Sequence, residues 1–386
     1  MTDLFSPLLS LKKGCWFKLI CGASFQHLPA VRSLTLAYTL AGADCIDIAA
    51  DPAVIVAAQE GLEVAATLGA TARKRGFHYQ GRPLLMVSLN DGEDPHFRKA
   101  EFDSTQCPSE CSRPCERICP AQAITFNSIK YNYTGVLSDK CYGCGRCLPV
   151  CPYDKIEEVS YATDNGAIAP LILKSGVDAV EIHTTVGRLA EFKRLWQTIS
   201  PYVEHLKLLA ISCPDGEGII DYLHSLYDAI SPLHCVNIWQ TDGRSMSGDI
   251  GSGTTLAAVK LGSKVLRAKI PGYVQLAGGT NSYTVPKLKA MGLLNKLTKH
   301  INENMRENND NSHRFSLGTE ASIAGVAYGS YARKLLSPVL EQLEEKEVNV
   351  EHVKVAARLE EEPTLLWQAV SLADSLVSQL KYQEHR

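Results

Sequence analysis

The chain has 386 residues, of which 45% are hydrophobic and 21% charged, and its formal net charge is -3. This length and apolar content can bury a large core, as two ordinary domains or as one α/β barrel with an extension. The sequence pI of about 6.4 gives no global electrostatic reason to expect nucleic acid. No run approaches the roughly 18 apolar residues of a transmembrane helix, and the N-terminus lacks the charge order of a secretory signal. We therefore expect a cytoplasmic protein that neither crosses a membrane nor binds nucleic acid.

The number and spacing of the cysteines limit the possible functions more than any other feature of the composition. The chain has 13 cysteines, and eight of them lie between Cys107 and Cys151. Thiols stay reduced in the cytoplasm, so a dense group of them there indicates metal or redox chemistry rather than disulfides.

The second group of cysteines, "CYGCGRCLPVCP", has the spacing C-x2-C-x2-C-x3-C-P of bacterial ferredoxins. In that pattern three cysteines wrap one cubane and the fourth, before proline, ligates the other cluster. Gly143 and Gly145 give the loop the backbone freedom that close wrapping requires. A zinc site is the main alternative, because C-x2-C pairs also bind zinc. Two pairs suffice for zinc, however, and the third cysteine and the Cys-Pro step would then go unexplained.

The first group, "CPSECSRPCERICP", has the looser spacing C-x3-C-x3-C-x3-C-P. Four-residue spacing would put all four thiols on one face of a continuous helix. Pro108 and Pro114 argue against such a helix, because each removes an amide donor and restrains the residue before it. We therefore expect a looped path, followed by a small hairpin-like cover around Ile124, Phe126, Ile129 and Tyr131.

Both groups end in Cys-Pro, which is the signature of exchanged fourth ligands. We predict two iron–sulfur clusters, both expected to be [4Fe-4S]. The looser arcs predict that cluster 1 is the more labile, with [3Fe-4S] as its alternative form. Nearby Arg113, Arg117, Lys140 and Arg146 would favour the reduced state, or are simply solvated. The predicted ligands are Cys107, Cys111, Cys115 and Cys151 for cluster 1, and Cys119, Cys141, Cys144 and Cys147 for cluster 2.

Outside this block, short apolar runs alternate with helical patterns, which is typical of βα units around a parallel sheet. Eight such units predict an α/β fold of the (β/α)8 TIM-like barrel type, with an open doubly wound sheet as the alternative. Helices are predicted over 29–41, 52–69, 187–199 and 217–230. The predicted strands are 16–22, 44–50, 83–89, 178–184, 206–212, 234–240, 273–279 and 322–328.

The barrel interpretation divides the chain into four parts. Residues 1–94 and 161–334 form the barrel, and 95–160 is a ferredoxin-like insertion in the loop after strand three. Residues 335–386 form a C-terminal helical extension, which either packs on the barrel or docks a partner. All βα loops of a barrel emerge on its C-terminal face, where the active sites of barrel enzymes lie. The clusters are therefore expected over the barrel mouth.

Candidate ligand loops follow strands seven and eight, where barrels often bind phosphate. The alternative is that they are tight turns with ordinary N-caps. The glycine-rich segment 240–255 is a candidate lid. Catalytic residues remain unknown: Asp51, Asn90, His183 and Asp242 fall at strand ends, but no spacing names a reaction. Cys21 and Cys213 are either buried or reactive at the mouth. The candidate cofactor-binding residues are Gly278, Gly279, Thr280, Asn281, Gly329 and Ser330.

Several segments together resemble the cyanobacterial light-dependent period (LdpA) family. They are both cysteine groups, "KLICGASFQHLP", "GADCIDIAADP", "GVDAVEIHT", "DGRSMSGDIGSGTT", "VQLAGGTNSYT" and "GVAYGSYARK". The resemblance covers nearly the whole chain. It implies an iron–sulfur redox sensor that relays cellular and photosynthetic redox state to circadian clock proteins. It carries over no catalytic residue.

A second, distant resemblance is to flavin-dependent dihydroorotate and dihydropyrimidine dehydrogenases, which combine a barrel, "GVDAVEIH"-like strands and a ferredoxin module. It implies FMN in the barrel mouth, and hence an iron–sulfur oxidoreductase as the alternative function. No strand residue of this chain matches a catalytic base or a flavin-contacting lysine of those enzymes. Whether the protein is an enzyme is left open, and a quinone or another electron carrier is a further candidate partner.

Overall fold

A computed structural model describes residues 7–92, 97–119, 121–126, 134–160, 173–243, 253–294, 322–346, 348–350, 353–355 and 357–381. Eight parallel strands form a closed barrel in which each strand pairs with its neighbours in chain order and the last pairs with the first. The predicted barrel is therefore confirmed, and the open sheet is wrong. The strands are β1 (Trp16–Ile20), β2 (Cys45–Ala49), β3 (Leu84–Asn90), β4 (Ala179–His183), β5 (Leu208–Pro214), β6 (Val236–Asp242), β7 (Tyr273–Ala277) and β8 (Gly325–Tyr328).

Ten helices accompany these strands in the described residues. The four predicted helices are found, with ends that differ from the prediction by up to five residues. The helices are α1 (Pro7–Lys13), α2 (Leu28–Ala41), α3 (Pro52–Lys74), α4 (Pro114–Ile118), α5 (Leu189–Ile199), α6 (Ile219–Ile230), α7 (Thr255–Ala268), α8 (Thr284–Ala290), α9 (Ser330–Glu344) and α10 (Pro363–Lys381).

The barrel strands are buried on both faces, which explains their nearly continuous apolar sequences. The outward-facing Phe17 of β1 stacks on Tyr328 of β8 and on Tyr38 of α2, with ring centroids 5.1 and 5.8 Å apart. The inward-facing side of the same strand is different. Trp16 donates to the amide of Gln275 across the barrel at 2.6 Å. The interior therefore contains polar side chains as well as apolar layers.

Asp51, one of the polar residues at strand ends, caps the start of α3. Its carboxylate accepts from the amides of Ala53 at 2.8 Å and Val54 at 3.2 Å. Pro52 follows it at the first helical position, where a missing amide hydrogen costs nothing. Asp51 is thus an N-cap, and its other carboxylate oxygen accepts a third bond from Gln26 at 3.2 Å.

Among the described residues, α3 is the one helix with the length and composition to cross a membrane. It lies in the helical layer of the barrel, however. A Cβ at its Gly61 would meet the carbonyl oxygen of Arg32 in α2 at 2.6 Å, so the two helices cross in close contact. Its apolar residues Val54, Ala58 and Leu62 are buried. The apolar face of α3 is therefore covered by the rest of the fold.

The C-terminal helices pack on the barrel wall. The predicted start of the extension, between 334 and 335, falls within α9, the helix that follows the last barrel strand, β8. Beyond it, Glu360 accepts a bidentate pair of hydrogen bonds from Arg32 of α2 at 2.6 and 2.8 Å. The last helix, α10, packs against α2 and β1. Packing on the barrel, one of the two expected roles, is thus observed for α10.

A buried ion pair fixes the end of α10. Lys381 donates to Asp44 at 2.5 Å and to Ser10 of α1 at 3.0 Å, and both charged side chains are almost fully buried. Asp44 also accepts from the amide of Phe17 at 2.7 Å. Burial raises the pKa of Asp44, against the opposing effect of Lys381. Asp44 therefore depends on this lysine to remain charged inside the fold.

We predict that Lys381→Met lowers the free energy of unfolding by about 3–5 kcal/mol, because it leaves a buried carboxylate without its partner. Urea unfolding measures the loss. Lys346→Met is the matched control: its ion pair with Glu362 is exposed and is worth at most about 1 kcal/mol. The double variant Lys381→Met/Asp44→Asn should recover part of the loss. A change below about 1 kcal/mol for Lys381→Met would contradict the role of this pair.

Candidate metal centres

The cysteine-rich insertion is closed at its root by a short antiparallel ladder. Arg98–Glu101 pairs with Glu157–Ser160, so both ends of the insertion return to one place after β3. The amide of Gln26, which follows β1, donates to the carbonyl of Asp139 at 3.2 Å. The insertion therefore lies at the C-terminal end of the barrel strands, as its place in the chain predicts.

The first cysteine group follows a looped path, as the two prolines predict. A 3-10 turn at Ser104–Gln106 precedes the group, and the short helix α4 begins only at Pro114. Arg113, the residue before that helix, has a φ of 52°. This left-handed conformation breaks any continuous helix between the thiols. Of the predicted cover, Ile124–Thr125 pairs with Gly135–Val136. Ile129 and Tyr131 of that cover lie outside the described residues, as does Pro120 of the first Cys-Pro step.

Four thiols line one apolar cavity in the insertion. Gly143 and Gly145 have φ values of 67° and 70°, which glycine adopts without strain. Two thiols accept backbone hydrogen bonds: Cys141 from Ala100 at 3.4 Å and Cys119 from Ala123 at 3.2 Å. The thiols of this cavity are Cys119, Cys141, Cys144 and Cys147.

The other four thiols form a second neighbourhood. Cys107 is hydrogen-bonded to Cys111, and the pKa of Cys107 is raised by burial, then by Cys111 and, more weakly, by Cys151. Burial likewise raises the pKa of Cys115, with smaller contributions from Cys151 and Cys107. Cys151 accepts from the amide of Lys155 at 3.4 Å. Cys151 therefore lies among the thiols of the first group, while Cys119 of the first group lies among those of the second.

The two thiol sets differ in burial. In the cavity, Cys141 and Cys147 are buried and Cys119 and Cys144 half-buried, whereas in the other set Cys115 alone is buried. Burial, followed by the neighbouring thiols Cys144, Cys141 and Cys119, raises the pKa of Cys147 to about 12. Crowded thiolates repel one another, and a metal centre supplies the positive charge that allows them to ionise. The cavity is thus built for a cationic group.

A cluster fits this donor set better than a single ion. One zinc ion needs four ligand atoms converging at about 2.0–2.3 Å. Within the described ranges, no three histidine, cysteine or acidic side chains converge in the way that a single metal ion requires. Instead, four sulfur atoms surround a cavity, and amide hydrogens point at two of them. Sulfur ligands with such hydrogen bonds are typical of iron–sulfur clusters.

Two of the four cations predicted to tune the clusters have fixed partners. Arg113 lies over the ring of Phe126, 4.2 Å from its centroid. Lys140 donates to Glu344 of α9 at 2.8 Å. Arg113 therefore packs within the insertion, and Lys140 attaches the insertion to the barrel, in addition to any effect of their charges on the clusters.

Tyr142 joins the cluster loop to the barrel. Its ring lies under the guanidinium of Arg333, 4.1 Å from the centroid, and meets the ring of Phe25 edge-on at 6.1 Å. Arg333, in the first turn of α9, donates to the carbonyls of Ile20 at 2.9 Å and Cys21 at 3.0 Å. One arginine thus connects the end of β1, the start of α9 and the loop between Cys141 and Cys144.

The candidate ligand loops after β7 and β8 are held by bonds within the fold. Gly278 and Gly279 adopt φ values of 64° and 87°, and Thr280 donates to the carbonyl of Ala327 at 2.6 Å. Asn281 donates to Thr254 at 3.2 Å and accepts from the amide of Tyr283 at 2.9 Å.

After β8, Gly329 precedes α9 as its N-cap, and the hydroxyl of Ser330 accepts from Arg333 at 3.0 Å. These are the bonds of tight turns and helix starts. A phosphate there would have to be bound mainly by backbone amides. Most of the candidate lid, 244–252, lies outside the described residues.

Sequence reasoning missed a buried polar network inside the barrel. Lys18 of β1 forms ion pairs with Glu181 of β4 and, at 2.9 Å, with Asp47 of β2. His183 lies 2.9 Å from Glu181, and Gln240 of β6 donates to Glu181 at 2.6 Å. The available signal was a charged residue at an inward position of an apolar strand, as in "WFKLI", "CIDIA" and "AVEIH".

Cys21 and Cys213, considered as reactive thiols at the mouth, are buried. Burial raises the pKa of Cys21 to about 12, against the opposing effect of Arg333. A thiol that stays protonated is a poor nucleophile. Cys21 therefore acts as a small apolar residue of the barrel wall.

Comparison with known proteins identifies the family. The model of the LdpA Fe-S cluster-binding domain matches residues 107–162, and that of the light dependent period A C-terminal domain matches residues 171–379. Light dependent period A from Synechococcus elongatus is 47% identical over 375 residues, covering 97% of this chain and 94% of that protein. The chain belongs to the LdpA family. It is accordingly an iron–sulfur protein with a barrel fold.

Two further matches cover only a small part of the chain. A probable iron-sulfur subunit of the Frd operon of Proteus vulgaris is 45% identical over 47 residues, and the electron transport protein HydN of Escherichia coli is 30% identical over 73 residues. They cover 12% and 19% of this chain, and 28% and 35% of those proteins. Among solved structures, the alpha chain of tryptophan synthase from Legionella pneumophila covers 97% of this chain and 98% of its own at 10% identity, with a TM-score of 0.41.

We predict that Tyr142→Leu loosens the LdpA insertion from the barrel, because it removes the ring under Arg333. A half-buried cation–π contact of this kind is worth about 1–2 kcal/mol. Amide hydrogen exchange of residues 141–148 should become about tenfold faster. Tyr153→Leu is the control, since Tyr153 is an exposed tyrosine of the same insertion. Equal exchange rates in the two variants would show that the contact does not hold the loop.

Proposed function

We propose that this LdpA protein is a cytoplasmic redox sensor that carries two iron–sulfur clusters and reports cellular redox state to circadian clock proteins. The observation that carries the proposal is the exchange of Cys119 and Cys151 between the two cysteine groups. The clock partners are suggested by the printed name of the relative in Synechococcus elongatus, Light dependent period A. The light-dependent signal would then be photosynthetic electron flow, delivered by a quinone or another electron carrier.

In this proposal, cluster 1 is held by Cys107, Cys111, Cys115 and Cys151, and cluster 2 by Cys119, Cys141, Cys144 and Cys147. Both are [4Fe-4S] clusters, and the more exposed cluster 1 is the one expected to lose an iron and become [3Fe-4S]. The clusters supply one-electron redox chemistry. The protein supplies thiolates, amide hydrogen bonds and the cavity that excludes water.

The Arg333–Tyr142 contact gives such a sensor a route to the barrel surface. One added electron changes the charge of cluster 2 by one unit inside a module of low dielectric constant, where charge interactions are strong. The loop from Cys141 to Cys144 carries Tyr142, which touches Arg333 of α9. Lys140, in the same loop region, bonds to Glu344 near the other end of that helix. A partner that binds α9 is therefore positioned to detect the state of cluster 2.

An anaerobic redox titration followed by EPR tests the sensor. We expect two separate reversible signals that account for the iron and sulfide in the purified protein. Midpoint potentials within the range that the cell visits would support sensing. Stoichiometric zinc without sulfide, or clusters that no physiological carrier reduces, would exclude it.

The ligand assignment makes a second prediction. Cys151→Ser should remove the EPR signal of cluster 1 and about half of the iron while leaving cluster 2, and Cys119→Ser should do the reverse. Cys235→Ser is the control, because Cys235 is a half-buried thiol outside both sets. If Cys151→Ser instead affected only the cluster of Cys141, Cys144 and Cys147, the exchange of ligands would be wrong.

The alternative function is an oxidoreductase with FMN or another cofactor in the barrel mouth. The observation that favours it is the buried group of Lys18, Asp47, Glu181 and His183 on strands that end at the mouth. The loops of the predicted phosphate site favour it less, since Thr280 bonds to the carbonyl of Ala327 and Asn281 to Thr254. Flavin released on denaturation, or turnover of reduced nicotinamide or quinone, would establish the enzyme.

A further inference from the structure

Four ionisable side chains form one buried set inside the barrel, which we name the acid–base set: Lys18, Asp47, Glu181 and His183. Their exposed fractions are 0%, 1%, 0% and 7%. Lys18 pairs with both carboxylates, and His183 lies 2.9 Å from Glu181. They come from three strands, and barrel closure alone brings them together.

Counting charges shows that this set needs a mobile proton. One lysine cation and two carboxylates leave a net charge of −1 when the imidazole is neutral. An uncompensated charge in a buried site is costly. The set is neutral only when one further proton resides on one of the two carboxylates or on His183. The acid–base set is therefore a place where a proton is bound and released.

The surrounding groups leave this proton to Asp47 and His183. Burial raises the pKa of Asp47 to about 6, against the opposing effect of Lys18. Lys18, followed by His183, lowers the pKa of Glu181 to about 2 against burial, so Glu181 stays charged. Among the other neighbours, Ser88 donates to Asp47 and Gln240 to Glu181.

Among the described residues, the other ionisable groups near the set are two thiols and two carboxylates. Burial raises the pKa of the thiols Cys21 and Cys45, which stay neutral. Asp91 follows β3 and pairs with Arg188 at 3.1 Å. The register of the barrel places Asn90 beside His183, and Asp242 ends β6.

One short segment of the insertion touches both cluster 2 and this set. The amide of Ala100 donates to the thiol of Cys141 at 3.4 Å. Three residues earlier, the ring of Phe97 meets the imidazole of His183 edge-on, with centroids 5.5 Å apart. Between them, Lys99 donates to the carbonyl of Ser138 at 2.7 Å and to Gln26 at 2.8 Å. Residues 97–100 therefore form a continuous, anchored connection from a cluster thiol to the imidazole.

We infer that the acid–base set is a proton-binding site whose occupancy is coupled to the charge of cluster 2. This inference rests on the proposed redox function of that cluster. When a low-potential one-electron donor reduces cluster 2, the added negative charge favours uptake of one proton from solvent by the set. When an acceptor removes the electron, the proton returns to solvent. By linkage, a proton on the set favours reduction of the cluster to the same extent.

The test is the pH dependence of cluster 2 reduction in anaerobic holoprotein between pH 5 and pH 8. At a fixed applied potential, the ratio of reduced to oxidised cluster 2 should fall about fivefold or more as the pH rises, because the set loses its proton. The double variant Asp47→Asn/His183→Gln, which cannot exchange this proton, should show less than about half of that dependence. Ser88→Ala, which removes a hydrogen bond to Asp47 but no ionisable group, should keep the size of the pH dependence and move its midpoint to higher pH.

Phe97→Leu tests the connection without altering the set, and provides a second variant if the double variant fails to fold. It should weaken the pH dependence while both EPR signals persist. A pH indicator provides an independent readout, since photochemical reduction of the wild type near pH 6 should take up protons and reduction of the double variant should take up fewer. A reversible cluster 2 with the same pH dependence in all variants would overturn this inference and leave the sensor intact. A cluster 2 that no donor reduces would overturn both.

Discussion

The exchange of one cysteine between two groups is the constraint on which the insertion depends. Cys119 ends the first group but lies among the thiols of the second, and Cys151 does the opposite. The chain must therefore pass twice through the same small volume, with little apolar core to hold it. In the described part of the insertion, the buried apolar cluster has seven residues, and three of these are cysteines. Metal binding must accordingly supply much of its folding energy.

The barrel provides the rigid frame for this module. The ladder between Arg98–Glu101 and Glu157–Ser160 closes the insertion at its root. Arg333 and Glu344, near opposite ends of α9, contact Tyr142 and Lys140 of the cluster loop. These contacts are mostly polar or aromatic, so small changes in local charge can shift them. A change in the charge of a cluster at this junction would therefore affect the contacts that α9 makes with the insertion.

Sequence alone predicted the features that depend on residues close together in the chain. The C-x2-C-x2-C spacing, the proline-interrupted first group and the eight apolar strands are local patterns, and the structure confirms the looped path and the barrel. The acid–base set was not found because Lys18, Asp47 and Glu181 are far apart in the chain. Only barrel closure and strand register bring them together. Asp51 was predicted only as a polar residue at a strand end, and its role as a helix cap was not distinguished because strand ends and helix caps share residue types.

Stability does not explain why the barrel interior carries charges. Inward positions of such barrels are commonly filled by branched apolar residues, and apolar residues of similar size often replace a buried ion pair at no loss of stability. Here the acid–base set lies directly beneath Phe97, whose ring meets the imidazole of His183. Phe97 is three residues before Ala100, which donates to Cys141. In the inference drawn above, a buried set with one proton to exchange acts on a neighbouring group whose charge changes. The iron–sulfur insertion is the part of this fold that meets that condition.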